Sequence, residues 1–348
     1  MNGPRKLLFA AAALLALSAA GALDLRDGRM LLALDERTAR FSVHFLADAA
    51  RNRYISLLSE QDARTSYPTL SWDGKTYRLG EAADFKFSVL REGTGAVVEY
   101  RSSFAVVRQA FSFIRSRGSP ETNGISVEFT LENISGKSAS SGLRFLLDTY
   151  QGERSKRHFE IEGRGFVSAE LSLTGSAVPG RISTPGDSGA SLQIQLSGEG
   201  ITRPNRLVLA NWKRINDAEW SFEASPGRSF TLLPFSIDDS AAVLYFEPSE
   251  LRSGGKLVLR TILGNTSEFG FSAPPLSGGL AGSQTAESLS PMTVAPDPFV
   301  GARTDIAALR EILSRIDALL SAGGSPDPVQ LAELRRLLDN IRTRTKEY

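Results

Sequence analysis

Val127-Glu128-Phe129-Thr130-Leu131-Glu132-Asn133-Ile134-Ser135-Gly136-Lys137-Ser138-Ala139-Ser140-Ser141-Gly142-Leu143-Arg144-Phe145-Leu146-Leu147-Asp148-Thr149-Tyr150-Gln151-Gly152-Glu153 is the stretch whose reading decides the fold. Val127, Phe129 and Leu131 alternate with Glu128, Thr130 and Glu132, the period of a strand with one buried face. Asn133 to Gly142 is polar and rich in Gly and Ser, so it turns the chain. Leu143 to Leu147 is too apolar to face water on either side, which places that strand mid-core. The spacing predicts a long antiparallel hairpin emptying onto a polar rim, Asp148 to Glu153.

Working outward, Leu70-Ser71-Trp72, Asp73-Gly74 and Lys75-Thr76-Tyr77 form the clearest hairpin signal, and Asp27-Gly28 and Asn123-Gly124 offer further tight turns. Short apolar or alternating runs recur from Met30 to Leu263 with turn residues between them and almost no helical periodicity. This predicts a mainly β fold, a large antiparallel two-sheet β-sandwich over 23–272. The loop-rich interval 175–189 is the expected seam if the region were two smaller sandwiches. Residues 273–302 are rich in Pro, Gly and Ser and read as a linker.

The pattern then changes period. Ile306, Leu309, Leu313, Ile316 and Leu320 step by three and four, and after Gly323-Gly324 so do Leu331, Leu334, Leu338 and Ile341. A C-terminal antiparallel α-helical hairpin over 303–346 is expected. Its apolar stripe is a docking face for a partner protein in the cell envelope or for self-association.

At the other end, Arg5 and Lys6 precede an apolar run, Leu7 to Leu17, and then small residues at the spacing a signal peptidase reads. Residues 1–22 are predicted to be a signal peptide. The product is then exported, periplasmic or extracellular, with no transmembrane span after signal removal. The chain has no cysteine, which rules out disulfides, thiol nucleophiles and thiolate metal sites. A net charge of +1 gives no global field to collect nucleic acid. No cofactor-binding fingerprint is present.

Three constellations carry candidate chemistry. Asp148, Tyr150 and Glu153 sit just past a buried strand, at a sheet edge where ligand sites are often built. His158, Glu160 and Glu162 alternate with Phe159 and Ile161; on a strand they share one face and supply a metal-type donor set. Trp72, Trp212 and Trp220 offer aromatic faces for sugar stacking. Gly186-Asp187-Ser188-Gly189, with His44 upstream, resembles the nucleophile turn of trypsin-like serine proteases, but Ala190-Ser191 and Ser42-Val43 depart from that pattern. No residue is assigned a catalytic role.

Gly142 to Glu153, a "G-x-R-x-x-x-D-T-x-x-G" run, resembles a segment of uncharacterised exported bacterial β-sandwich proteins, as does Leu251 to Leu263-Gly264. The resemblance implies fold and compartment and brings no activity with it. The sequence therefore reads as an exported, non-catalytic envelope binding or assembly protein. The alternative is a carbohydrate-binding or glycan-active β-sandwich.

Overall fold

The computed structural model describes residues 21–59, 65–186, 189–276 and 280–281. The expected helical hairpin with its docking face (Ile306, Leu309, Leu313, Ile316, Leu320, Leu331, Leu334, Leu338, Ile341) lies outside the described residues. So do most of the expected signal peptide and linker. Ala22, the last residue of the expected signal segment, is the first of strand β1.

The described residues are mainly β, in three sheets rather than the expected two. A four-stranded meander holds β1 (Ala22–Asp27), β2 (Met30–Asp35), β3 (Arg40–Asp48) and β4 (Arg53–Ser56). The remaining strands in chain order are β5 (Tyr67–Trp72), β6 (Lys75–Arg78), β7 (Lys86–Glu92), β8 (Gly95–Arg101), β9 (Ala105–Ile114), β10 (Gly124–Asn133) and β11 (Ala139–Thr149). They continue with β12 (Phe159–Ile161), β13 (Gly165–Val167), β14 (Leu171–Thr174), β15 (Arg181–Thr184), β16 (Leu192–Gln195) and β17 (Arg206–Asn211). The series ends with β18 (Ser240–Leu251), β19 (Lys256–Asn265) and β20 (Leu280–Ala281).

A ten-stranded sheet runs β13-β12-β15-β16-β19-β10-β9-β8-β7, with β20 beside β19, and a six-stranded sheet runs β14-β17-β18-β11-β5-β6. All pairings are antiparallel except β19 with β20. One apolar core joins the three sheets: Leu32 and Val43 from the first, Val127 and Leu259 from the second, Phe145 and Leu244 from the third. Leu173, Val178, Ile182, Ala190 and Leu192, on either side of and within the interval 175–189, belong to the same core.

The stretch 127–153 is not a hairpin. β10 and β11 do not pair with each other. β10 pairs with β9 and β19, and β11 pairs with β18 and β5. The chain crosses from one layer to the other, so Val127, Phe129 and Leu131 face Leu143, Phe145 and Leu147 through the core. The rings of Phe129 and Phe145 meet edge to face at 5.0 Å. Alternation alone cannot separate a hairpin from such an arch, because both bury the same faces.

Asn133 fixes the crossing. It is fully buried, and its Nδ2 donates to the carbonyls of Lys137 (2.8 Å) and Leu251 (2.7 Å). Its Oδ1 accepts from Ser135 N and Oγ. Leu251 ends β18 where that strand crosses to β19, and Asn133 N donates to Gly255 O while Gly254 N donates to Asn133 O. One asparagine thus clasps two neighbouring arches.

The Asp73-Gly74 turn forms as expected, with both residues at positive φ between β5 and β6. Asn123-Gly124 is not a tight turn. Gly124 opens β10, and Asn123 closes the longer 115–123 loop through hydrogen bonds to Ser116 N and Oγ, each 2.8 Å.

Candidate functional site

The outer face of the six-stranded sheet carries Tyr67, Leu146, Val208, Ala210, Val243 and Tyr245, too apolar to be left to water. The segment 212–239 covers it. Its only regular element is a short helix, α1 (Trp212–Asp217), whose start is capped by the Asn211 side chain accepting from Arg214 N. Its end is held by Arg144, the basic residue inside the apolar run of β11. The buried guanidinium donates to the carbonyls of Ile215 (2.5 Å), Ala218 (2.9 Å) and Glu219 (3.3 Å), a cation seated at the negative end of a helix. Tyr67 Oη donates to Asn216 Oδ1 at 2.7 Å, and Arg78 donates to Asn216 O at 2.9 Å. Glu170, buried and paired with Arg214, accepts from Ser225 N.

This scaffold presents Trp220. Its carbonyl accepts from Tyr245 Oη at 2.9 Å and its ring meets the Tyr245 ring edge-on. Trp220 is half-buried and lines an open cleft of about 720 Å³ together with Gly74, Lys75, Thr76, Tyr77, Asp84, Glu219 and Ser221. The Asp73-Gly74 turn, β6 and the β6–β7 connection with Asp84 supply one group of these residues, the chain just past α1 the other. Tyr77 packs on Phe85 and Phe104. Partial burial pushes its phenol up, and the neighbouring carboxylates Asp84 and Asp73 add to this.

The three tryptophans do not form one platform. Trp72 is 5% exposed and packs against Phe104 in the core. Trp212 lies over the six-stranded sheet with its indole N–H donated to Thr65 O at 3.0 Å. Only Trp220 fronts the cleft. Tyr77, Asp84 and Glu219 escaped the sequence reading. The Asp-Gly turn followed by a tyrosine three residues on was the available signal, but nothing local says that residue 220 meets it.

At the far end of β11, the charge of Asp148 acts on Glu153. The Glu153 carboxylate accepts from Ser240 N at 2.9 Å. Burial pushes it up to about 8, against the Ser240 hydrogen bonds, with Asp239 and Asp148 raising it further. Asp239 is also pushed up by burial. Tyr150 faces Gln151, whose Nε2 donates to Tyr150 Oη and to Ser56 O. Glu153 thus clasps the chain after β11 to the start of β18, and Gln151 ties the same chain to the end of β4.

His158, Glu160 and Glu162 are not brought together. His158 is buried, its ring 4.5 Å from that of Phe230 and its Nε2 4.0 Å from Asp238 Oδ1, and burial lowers its pKa. Glu160 and Glu162 are exposed along a groove of about 230 Å³ with Arg181, Gln193 and Ser267, and Arg181 pairs with Glu162 at 3.4 Å. No group of three or more His, Asp or Glu among the described residues is arranged to hold a metal ion. The residue before β12 has turned inward, where the period of the strand no longer governs it. His44 lies on β3 with Ser42 Oγ 3.3 Å away, and Asp187 and Ser188 of the protease-like quartet lie outside the described residues.

No protein-family model matches this sequence, and no curated protein matches it. Among solved structures, the chain is similar to a galactose mutarotase-like protein from Lactobacillus casei, at 12% identity and TM-score 0.43, over 71% of this chain and 100% of that one. It is similar to an aldose epimerase homologue from C. elegans at 13% identity and TM-score 0.46, over 71% and 98%. It is also similar to a TPR-domain containing protein from Parabacteroides distasonis at 11% identity and TM-score 0.44, over 88% and 55%. At these values the likeness assigns this chain neither substrate nor residue roles.

Proposed function

We propose that this is an exported carbohydrate-binding β-sandwich protein whose glycan site is the cleft between Tyr77 and Trp220. The observation that carries the reading is the composition of that cleft. An indole and a phenol, both anchored from behind, share it with the carboxylates of Asp84 and Glu219, the Lys75 ammonium and the hydroxyls of Thr76 and Ser221. Sugars present C–H faces that stack on aromatic rings and hydroxyls that need directional polar partners. The cleft is open to solvent, which suits binding along a chain better than glycoside cleavage, where water-excluded acids do the work.

The test is titration of the full chain with neutral and N-acetylated oligosaccharides, followed by tryptophan fluorescence and calorimetry. Saturable binding should weaken about tenfold or more in Trp220→Ala and persist in Trp212→Phe. If no oligosaccharide binds, or if Trp220→Ala binds as the parent does, the reading falls.

A further inference from the structure

Large apolar side chains on the described surface are few, and three of them sit within five residues. Leu233 is 71% exposed, Phe235 66% and Ile237 71%. They are presented by an ordered loop. Leu232 and Ser236 exchange both backbone hydrogen bonds at 2.9 Å, and Phe235 N donates to Leu232 O at 2.8 Å. Below the tip, Asn211 Nδ2 donates to Phe230 O (2.7 Å), Ser236 Oγ (2.9 Å) and Asp239 O (3.1 Å). Asp238 N donates to Thr231 Oγ1. A chain tied this firmly pays little further ordering cost when its tip is covered.

The tip has a basic neighbour. Arg154, Lys156 and Arg157 are exposed in close succession, and that loop is joined to the apolar one by Lys156 pairing with Asp238 at 3.6 Å. Lys213 stands 5.2 Å from the centre of the Phe235 ring while pairing with Asp217. Arg157 lies over the ring of Phe166, itself 48% exposed.

We propose that the Leu233–Ile237 tip inserts into the surface of an anionic lipid bilayer, with the Arg154–Arg157 loop resting on the headgroups. Charge complementarity selects this occupant, since exposed cations beside an apolar tip match anionic headgroups over acyl chains. Size agrees. Three side chains on one loop are far short of the roughly 1,200–2,000 Å² that a stable protein interface buries, whereas shallow insertion needs only a few anchors.

The absence of cysteine allows a single reporter. An environment-sensitive dye is attached to the full chain carrying Ile237→Cys, and in a control to the chain carrying Ser88→Cys on β7. Each is mixed with vesicles of phosphatidylcholine alone or of phosphatidylcholine with phosphatidylglycerol. The expected result is a blue shift at the loop and none at Ser88, with affinity about a hundredfold higher for the anionic vesicles. R154E/K156E/R157E should remove that preference, and L233S/F235S should abolish vesicle co-sedimentation, both with an unchanged thermal melt. An unshifted loop dye would overturn the proposal even if the chain sediments with vesicles, because another segment would then be the anchor. A dye shift without vesicles, rising with protein concentration and matched by dimers in light scattering, would overturn it in favour of self-association.

Discussion

Asn133 shows how much of a β-sandwich can depend on one amide. Its side chain, itself fully buried, satisfies two carbonyls from different arches and receives two donors from its own turn. Asn133→Ala removes the side-chain donor to the buried Leu251 carbonyl and should cost about 1–3 kcal/mol, read as a lower denaturant midpoint. Glu153 gives a second prediction, with the sign set by its raised pKa. The neutral acid is favoured in the folded protein, so its stabilising contribution is present below the ordinary value of 4.5 and is lost as pH rises to about 8. His158 acts in the opposite sense, because its lowered pKa favours the neutral ring and costs stability as pH falls below the usual 6.5. Melting temperature should therefore decline from pH 6.5 towards 8, where the glutamate acts without the histidine. Glu153→Gln, which keeps an acceptor for Ser240 N, should flatten that decline. An unchanged slope in thermal melts of the variant would refute the assignment.

At the scale of elements, α1 and the chain after it depend on a residue from another strand. Arg144 reaches out of β11 to three carbonyls spread over five residues, a span suited to a planar fork of donors. Arg144→Lys keeps the charge but loses the fork, so hydrogen exchange at 215–221 should speed up and Trp220 emission should move to the red while the sheets keep their protection. The same residue shows what local reading cannot reach. An arginine in an otherwise apolar run announces a buried cation, yet its acceptors are carbonyls more than seventy positions away, and carbonyls have no sequence signature. The Asp73-Gly74 hairpin was legible because turn chemistry is local. The arch from β10 to β11 was not, since burial repeats along a strand identically whether its partner lies beside it or across the core. His158 failed as a strand-face ligand for a related reason, as it lies one residue outside the strand.

For the whole molecule, the mainly β character and the buried position of Leu143 to Leu147 were readable from period and composition. The number of sheets was not, because sheet membership is decided by long-range pairing. With one core running through all three sheets, denaturant unfolding followed by the fluorescence of the three tryptophans and by far-ultraviolet β signal should give coincident transitions. Two separated fluorescence transitions would mean that the sheets do not act as one unit. The candidate cleft was half legible. Trp220 stood out as a large aromatic, while Tyr77 and Asp84 gained their meaning only when the β5–β6 turn met the chain beyond α1.

The interleaving of the two arches also dictates when the sandwich can close. β10 needs β19 on one side, and β11 needs β18, so the middle of the chain waits for partners made about 90 to 140 residues later. A ribosome that has released everything up to Arg252 has still not delivered β19, the strand that joins the two halves of the ten-stranded sheet. Such long-range pairing is slow to form, and a polypeptide emerging in order stays open and threadable until its last core strand arrives.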